Sequence, residues 1–367
     1  SLNLLIICGL VALVHIASYA PRSGLRAAGQ AKLEAGTKVI ERIITVLGYL
    51  ILYSQGSSSV SAFALVFLLG AMIGLIAGLI FSFMILKPIS DNEDSILSDS
   101  WLNNKTLLLQ ALPFAVTLGV LPYVIRIEKF IIAGEIGVEA AALFHVAQLA
   151  WLAGLVVPQA LRAALLPVLG ENRNDIVKFQ SSLNNSLDLC LGILPVGLFS
   201  GAIIVYFLLP IAFPEQYIDG SLGASAVDLF MILLFGWCLT LLATPTYTAL
   251  QAGRKPWNFT FLIALVVIFA TISGYILIDL QAAKSDGSGL YAGAIASSIT
   301  SGFLLLMSIH LSSNWQLIMS RKYQIISAIL ISATACYGLT NSSWIAFSGI
   351  LLFYFIPQGI RSISPID

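Results

Sequence analysis

Charged residues are scarce in this chain of 367 residues. Only 10% of the residues are Asp, Glu, Lys or Arg, the net charge is zero, and 58% of the residues are hydrophobic. A soluble domain of this length carries far more charge, and a nucleic-acid-binding protein carries an excess of basic residues. The composition therefore excludes an ordinary soluble protein, argues against a nucleic-acid partner, and predicts a protein that lies in a membrane.

Cysteine and histidine are also few and scattered. The sequence contains Cys8, Cys190, Cys238, Cys336, His15, His145 and His310. A disulfide framework or a metal site needs such residues clustered at ligand spacing, which none of these positions provides. We therefore expect no disulfides, no metal site and no cofactor.

Sequence signatures of enzymes are missing as well. The chain has no nucleotide-binding glycine loop and no nucleophile elbow. The longest polar connections, residues 87–105 and 170–186, are too short to form a catalytic domain. The sequence predicts a protein that is not an enzyme.

Apolar stretches recur along the whole chain. A membrane helix needs roughly 20 mainly apolar residues, and we count about eleven such spans. They are Leu2–Ala20, Thr37–Tyr53, Val60–Leu86, Thr106–Ile132, Glu139–Leu165, Leu187–Phe213, Ala226–Leu250, Pro256–Leu280, Leu290–Leu311, Tyr323–Leu339 and Ser342–Gly359. This pattern predicts an all-α polytopic membrane protein.

Basic residues predict the orientation of these spans. All Lys and Arg except Arg126, Lys129 and Lys284 fall in alternate connections on one side of the predicted membrane. Short loops rich in Lys and Arg stay in the cytoplasm, so the C-terminus is predicted to be cytoplasmic. With an odd number of spans, residue Ser1 lies outside, and we expect helices to be missing upstream.

A group of ionisable residues interrupts the fourth predicted span. Arg126, Glu128 and Lys129 occur within an otherwise apolar run. Ionisable groups at membrane depth are costly and usually mark a functional site. On a continuous helix, Arg126 and Lys129 would share one face, and Glu128 would point elsewhere.

The fifth predicted span adds polar residues to this candidate site. His145 and Gln148 are three apart, and Arg162 follows on the same span. We expect these residues, with those of the fourth span, to line a cavity that suits an anionic substrate such as a phosphate. The alternative is an internal ion pair of Arg126 or Lys129 with Glu128 or Asp228, which would only hold helices together.

Two stretches resemble a known family. They are residues 112–171, LPFAVTLGVLPYVIRIEKFIIAGEIGVEAAALFHVAQLAWLAGLVVPQALRAALLPVLGE, and residues 19–32, YAPRSGLRAAGQAK. They resemble polysaccharide flippases of the multidrug/oligosaccharidyl-lipid/polysaccharide (MOP) exporter superfamily. In this resemblance, Arg126 and Glu128 match a charged pair that often has Asp at its second position. Arg22 and Arg26 match a basic connection after the family's fourth helix.

The resemblance implies a two-lobed fold of fourteen helices around a central cavity, with three helices missing upstream of this chain. Residues 1–105 would be the remainder of the N-terminal lobe, and residues 106–367 would form the C-terminal lobe and trailing helices. The implied function is export of a polyprenyl-diphosphate-linked oligosaccharide for lipopolysaccharide or capsule synthesis. The implied setting is the cell inner membrane, among membrane lipids and polysaccharide polymerase machinery.

Two alternative hypotheses about the function remain open. A multidrug antiporter of the same superfamily would share the fold and would bind protons and organic cations at acidic residues in the membrane. Glu128 and Asp228 are therefore candidates for binding a coupling H⁺ or Na⁺, although the neighbouring cations argue against an antiporter. A scaffold without transport activity is the other possibility.

Overall fold

The structure is a computed structural model. It describes residues 2–28, 30–57, 59–85, 112–113, 115–117, 119–121, 123–253, 256–282, 287–312, 315–340 and 343–352. Every regular element among these residues is a helix, which confirms the predicted all-α class.

The helices follow one another with short connections. They are α1 (Leu2–Ala27), α2 (Ala31–Ser54), α3 (Val60–Ile85), α4 (Ile127–Glu135), α5 (Val138–Gly154), α6 (Val156–Glu171), α7 (Ile176–Ala212), α8 (Ala226–Ala252), α9 (Pro256–Ala282), α10 (Ser288–Ser312), α11 (Trp315–Ser320) and α12 (Lys322–Thr340). Short 3-10 turns occur at Asn172–Asn174 and Glu215–Tyr217. Helical residues also occur between 112 and 124 and at 344–352.

Eight helical stretches in the described part of the chain are long and apolar enough to cross a membrane. Of the other three predicted spans, 37–53 forms α2, which carries Lys38, Glu41 and Arg42 and is therefore too charged to qualify. The spans 106–132 and 342–359 lie partly outside the described residues. The fifth predicted span forms two helices, α5 and α6, which meet at Leu155.

The chain divides into two units, Ser1–Ser98 and Asp99–Asp367. The domain boundary predicted between residues 105 and 106 lies outside the described residues. We call the two parts unit 1 and unit 2, and α1 to α3 belong to unit 1.

Unit 1 packs through a stripe of small residues on α3. The buried residues of this helix are Gly70, Ala71, Gly74, Gly78 and Ser82. Gly70, Gly74, Gly78 and Ser82 recur every four positions with Ala71 beside them, so they share one helix face, and their size allows the neighbouring helices to approach closely. α1 and α2 both pack against α3.

A side chain at Gly70 has no room. A Cβ atom there would collide with the hydroxyl of Thr45 and would lie 3.1 Å from the backbone carbonyl oxygen of Glu41. We therefore expect Gly70→Val to destabilise the protein by about 1–3 kcal/mol through overpacking. Thermal unfolding of the purified protein in detergent measures the effect. Gly36→Val is the matched control, because no atom lies within 4 Å of a Cβ there; equal losses at both positions would refute the packing argument.

Unit 2 is built around α8. Most residues of this helix are buried, and α5, α6, α7, α10 and α12 pack around it. A helix that is apolar on all sides is expected at the centre of a bundle. This arrangement makes α8 the core of unit 2.

Pro245 lies inside α8 and frees a carbonyl group. Proline has no N–H, so the carbonyl of Leu241, four residues earlier, lacks its usual helical partner. The thiol of Cys190 on α7 donates to this oxygen at 3.3 Å. Cys190 therefore satisfies a polar group of the core as well as packing in it.

The indole of Trp237 joins three helices. Trp237 on α8 is buried, and its Nε1 donates to the carbonyl oxygen of Gly154, the last residue of α5, at 2.8 Å. A Cβ at Gly197 of α7 would collide with the indole ring. The ring is thus held on two sides by glycines that leave space for it.

Candidate functional site

The fourth predicted span is not one continuous helix. Residues Ile125 and Arg126 form a turn, and α4 begins after them at Ile127. The side-chain amide of Gln148 on α5 donates to the carbonyl oxygen of Ile125 at 2.5 Å. Gln148 is 1% exposed, so a buried side chain from the next helix satisfies a backbone group at the interruption.

Arg126 precedes α4 as its N-cap residue, with φ −122° and ψ −7°. The expectation of one continuous helix through Arg126 and Lys129 is therefore wrong, because α4 begins only after Arg126, but both cations lie near His145. The Arg126 side chain is exposed. It nevertheless lies close enough to His145 to act on it electrostatically, as Lys129 does.

Lys129 and His145 form the centre of the site. Lys129 Nζ lies 3.4 Å from His145 Nδ1, which joins α4 to α5. Gln148 also lies near His145 on α5. The structure thus brings together Arg126, Lys129, His145 and Gln148, and we call these four residues the cationic cluster.

Glu128 faces away from the cationic cluster. Its side chain is 1% exposed and packs against α9, where a Cβ at Gly274 would lie 3.9 Å from Glu128 Cγ. Neither carboxylate oxygen has a hydrogen-bond partner among the described residues. Burying an ionised carboxylate without a partner is costly, and binding a proton or a cation removes that cost.

Asp228 lies apart from the other predicted site residues. It belongs to the first turn of α8, is half-buried, and lies near Tyr291 of α10. The ion pairs found within 4 Å in the described part of the chain do not include Arg126, Lys129, Glu128 or Asp228. The internal ion pair considered as an alternative does not form among these residues.

Arg162 lies in a different place from the cationic cluster. On α6, its Nε donates to the side-chain oxygen of Gln251 at 2.8 Å, and its guanidinium carbon is 5.7 Å from the centre of the Phe259 ring. It lines a cavity of about 130 Å³ inside unit 2. No described contact joins Arg162 to Lys129 or His145.

Unit 1 contains a buried ion pair that the sequence analysis missed. Arg22 Nη2 of α1 lies 2.6 Å from Glu41 Oε2 of α2, and their side chains are 10% and 3% exposed. His15 Nε2 is 3.9 Å from the other oxygen of Glu41. The signal was present, since Glu41 is an acidic residue in an apolar helix, but its partner is not apparent from the sequence.

In the ranges that the structure describes, no group of three or more His, Cys, Asp or Glu side chains is placed to hold a metal ion. The side chain of Arg26, which the family resemblance also quoted, lies outside the described residues.

Comparison with known proteins supports the fold. No protein family model matches the sequence, and no curated protein matches it. Among solved structures, the chain is similar to the lipid II flippase MurJ in an inward closed conformation, with a TM-score of 0.59 and 13% identity. The match covers 98% of this chain and 73% of that one. The chain is therefore a polytopic all-α membrane protein whose fold is similar to that of this structure.

Proposed function

We propose that the chain is a membrane flippase for a polyprenyl-diphosphate-linked oligosaccharide. It would move this substrate outward by alternating access, for the synthesis of a cell-surface polysaccharide such as lipopolysaccharide or capsule. The observation that carries the proposal is the cationic cluster, in which Arg126 and Lys129 lie near His145 and have no carboxylate within 4 Å among the described residues. A diphosphate is the kind of anion that such a group attracts.

Each member of the cationic cluster has a proposed role. Arg126 is exposed and offers two parallel N–H donors to a phosphate, whereas Lys129 and His145 add charge or a hydrogen bond beside it. Gln148 holds the carbonyl of Ile125 and so fixes the turn that presents Arg126. Arg162 lies in the separate cavity, and we assign it another role below.

The distribution of basic residues supports a placement in the cell's inner membrane with the C-terminus in the cytoplasm. In that setting the partners are membrane lipids, the lipid-linked oligosaccharide and the polymerase machinery that extends the exported glycan. The chain would do no bond chemistry of its own and would need no cofactor.

We propose Glu128 as the group that binds the coupling H⁺ or Na⁺. Its buried oxygens have no hydrogen-bond partner in the part of the chain that the structure describes, so the residue gains most from binding a cation. Asp228 is the second candidate, and it gains less from a bound ion because it is only half-buried and stays partly in contact with solvent. The same property of Glu128 favours the alternative function, a cation-coupled multidrug antiporter.

Complementation tests the function. The full-length protein is expressed in cells that lack their own flippase for a lipid-linked oligosaccharide, and surface glycan is measured together with sensitivity to cationic drugs. We expect restored glycan and unchanged drug sensitivity. Drug resistance without restored glycan would contradict the flippase function and support the antiporter function.

Glu128→Gln tests the coupling role. We expect transport to fall about tenfold or more and to lose its dependence on the ion gradient, because the amide cannot take up and release the cation. Protein abundance should remain close to wild type, since the amide keeps the size of the side chain. Glu135→Gln, at an exposed residue of the same helix, is the control; an equal loss there would argue against a specific role of Glu128.

A further inference from the structure

The cavity that contains Arg162 lies between several helices of unit 2 and is partly open to the surroundings. It has a volume of about 130 Å³, and residues of α5, α6, α8, α9 and α10 line it. Its polar lining residues include Gln159, Thr240, Ser297, Thr300 and Ser301. A space of this size holds about four water molecules, or a small ion with a few waters.

The cavity has a positive charge without a compensating negative one. Arg162 is the only charged residue of its described lining, which contains no Asp or Glu. The guanidinium donates to Gln251, which is neutral, and it lies near the ring of Phe259. Arg162 is half-buried, so its charge is partly removed from water and an anion in the cavity would compensate it.

Two buried polar groups of the same lining also lack partners. Trp151 is 7% exposed and Thr300 is 4% exposed. Neither the indole Nε1 of Trp151 nor the hydroxyl of Thr300 has a hydrogen-bond partner among the described residues. A buried polar group left in this state costs about 1–3 kcal/mol. Since an indole N–H can only donate, Trp151 requires an acceptor.

We propose that this cavity binds a small monovalent anion of about the size of chloride. Arg162 supplies the charge, and Trp151 and Thr300 supply N–H and O–H donors. Water molecules alone would satisfy the two donors but would leave the charge of Arg162 uncompensated. The site adjoins the cationic cluster at Ile125, but no described contact joins Arg162 to Lys129 or His145, so the proposal does not depend on the chain being a flippase.

Anion-dependent stability tests the proposal. The purified full-length protein is kept in a neutral detergent, and its unfolding temperature is measured as sodium gluconate is replaced by sodium chloride or sodium bromide at constant ionic strength. We expect chloride and bromide to raise the midpoint in a saturable way, because a ligand that binds only the folded state stabilises it. Gluconate is too large for a cavity of this volume and should have no effect.

Three variants assign the effect to this cavity. Arg162→Gln is expected to weaken chloride binding at least about tenfold, and Thr300→Val several-fold, whereas Arg173→Gln, at an exposed arginine, should match wild type. If Arg162→Gln does not fold, Arg162→Lys keeps the charge and should still show a chloride effect weaker than that of wild type.

Two results would overturn the proposal. One is equal unfolding temperatures in chloride and gluconate for the wild-type protein. The other is a chloride effect that persists unchanged in the Arg162 and Thr300 variants. A parallel series with phosphatidylglycerol separates a free ion from a lipid phosphate, because a response to that lipid alone would reject the free anion.

Discussion

Charge reversal at Arg126 is expected to abolish transport while leaving the amount of protein in the membrane close to wild type. Arg126 is exposed and belongs to none of the described ion pairs, so Arg126→Glu breaks no described ion pair. A negative charge at the N-terminus of α4 also interacts favourably with the helix dipole. The folded state should therefore tolerate the change.

Substrate binding, in contrast, should be disrupted by the charge reversal at Arg126. Two unit charges about 4 Å apart interact by about 4 kcal/mol at an effective dielectric constant of about 20, and reversal turns this attraction into repulsion. We expect surface glycan to fall at least about a hundredfold in the complementation assay at matched protein abundance. Arg126→Lys keeps the charge and should retain part of the activity.

The matched control is Arg173→Glu, which reverses an exposed charge in the turn after α6. It should export glycan as wild type does. If Arg126→Glu lowered the protein level as much as the glycan, Arg126 would have a structural role. If Arg173→Glu lost activity equally, the effect would be one of overall charge.

The second large effect concerns the buried pair of Arg22 and Glu41 in unit 1. Removing one partner leaves the other charge buried and unpaired, which typically costs about 3–5 kcal/mol. We expect Glu41→Leu to lower the free energy of unfolding by this amount, measured by denaturant titration in detergent micelles. Arg42→Met is the control, because the Arg42 side chain is 65% exposed and its distance to Glu41 is 4.0 Å.

A double substitution separates the charge effect from packing. Arg22→Met with Glu41→Leu removes both charges and keeps apolar volume, so it should be more stable than Glu41→Leu alone. A double variant that lost the sum of both single effects would show that packing dominates. A double variant that is stable but inactive in transport would instead assign the pair a role in function.

The sequence predicted the elements of this fold well because the membrane imposes a simple rule on them. A span is long and apolar, and α1, α3 and α7 to α10 follow that rule closely. The rule fails for α2, which carries Glu41, since the cost of a charge is met by Arg22, nineteen positions away on another helix. Local composition contains no information about that partner.

The candidate site shows the same limit. The sequence indicated that Arg126, Lys129, His145 and Gln148 are unusual, and the structure brings them together. The sequence did not indicate the turn before Ile127, because the side-chain amide that donates to the carbonyl oxygen of Ile125 comes from α5. Contacts between side chains of different helices decided which predicted residues meet and which, like Arg162, do not.

The indole of Trp237 has a consequence for movement. The indole Nε1 donates a hydrogen bond to the Gly154 carbonyl oxygen, and the ring fills the space next to Gly197. These two contacts link α5, α7 and α8. Sliding any of these helices would break the hydrogen bond or force the ring against a backbone that has no room to give. Conformational changes within unit 2 should therefore carry these three helices together as one rigid body, with displacement confined to segments that do not touch the indole.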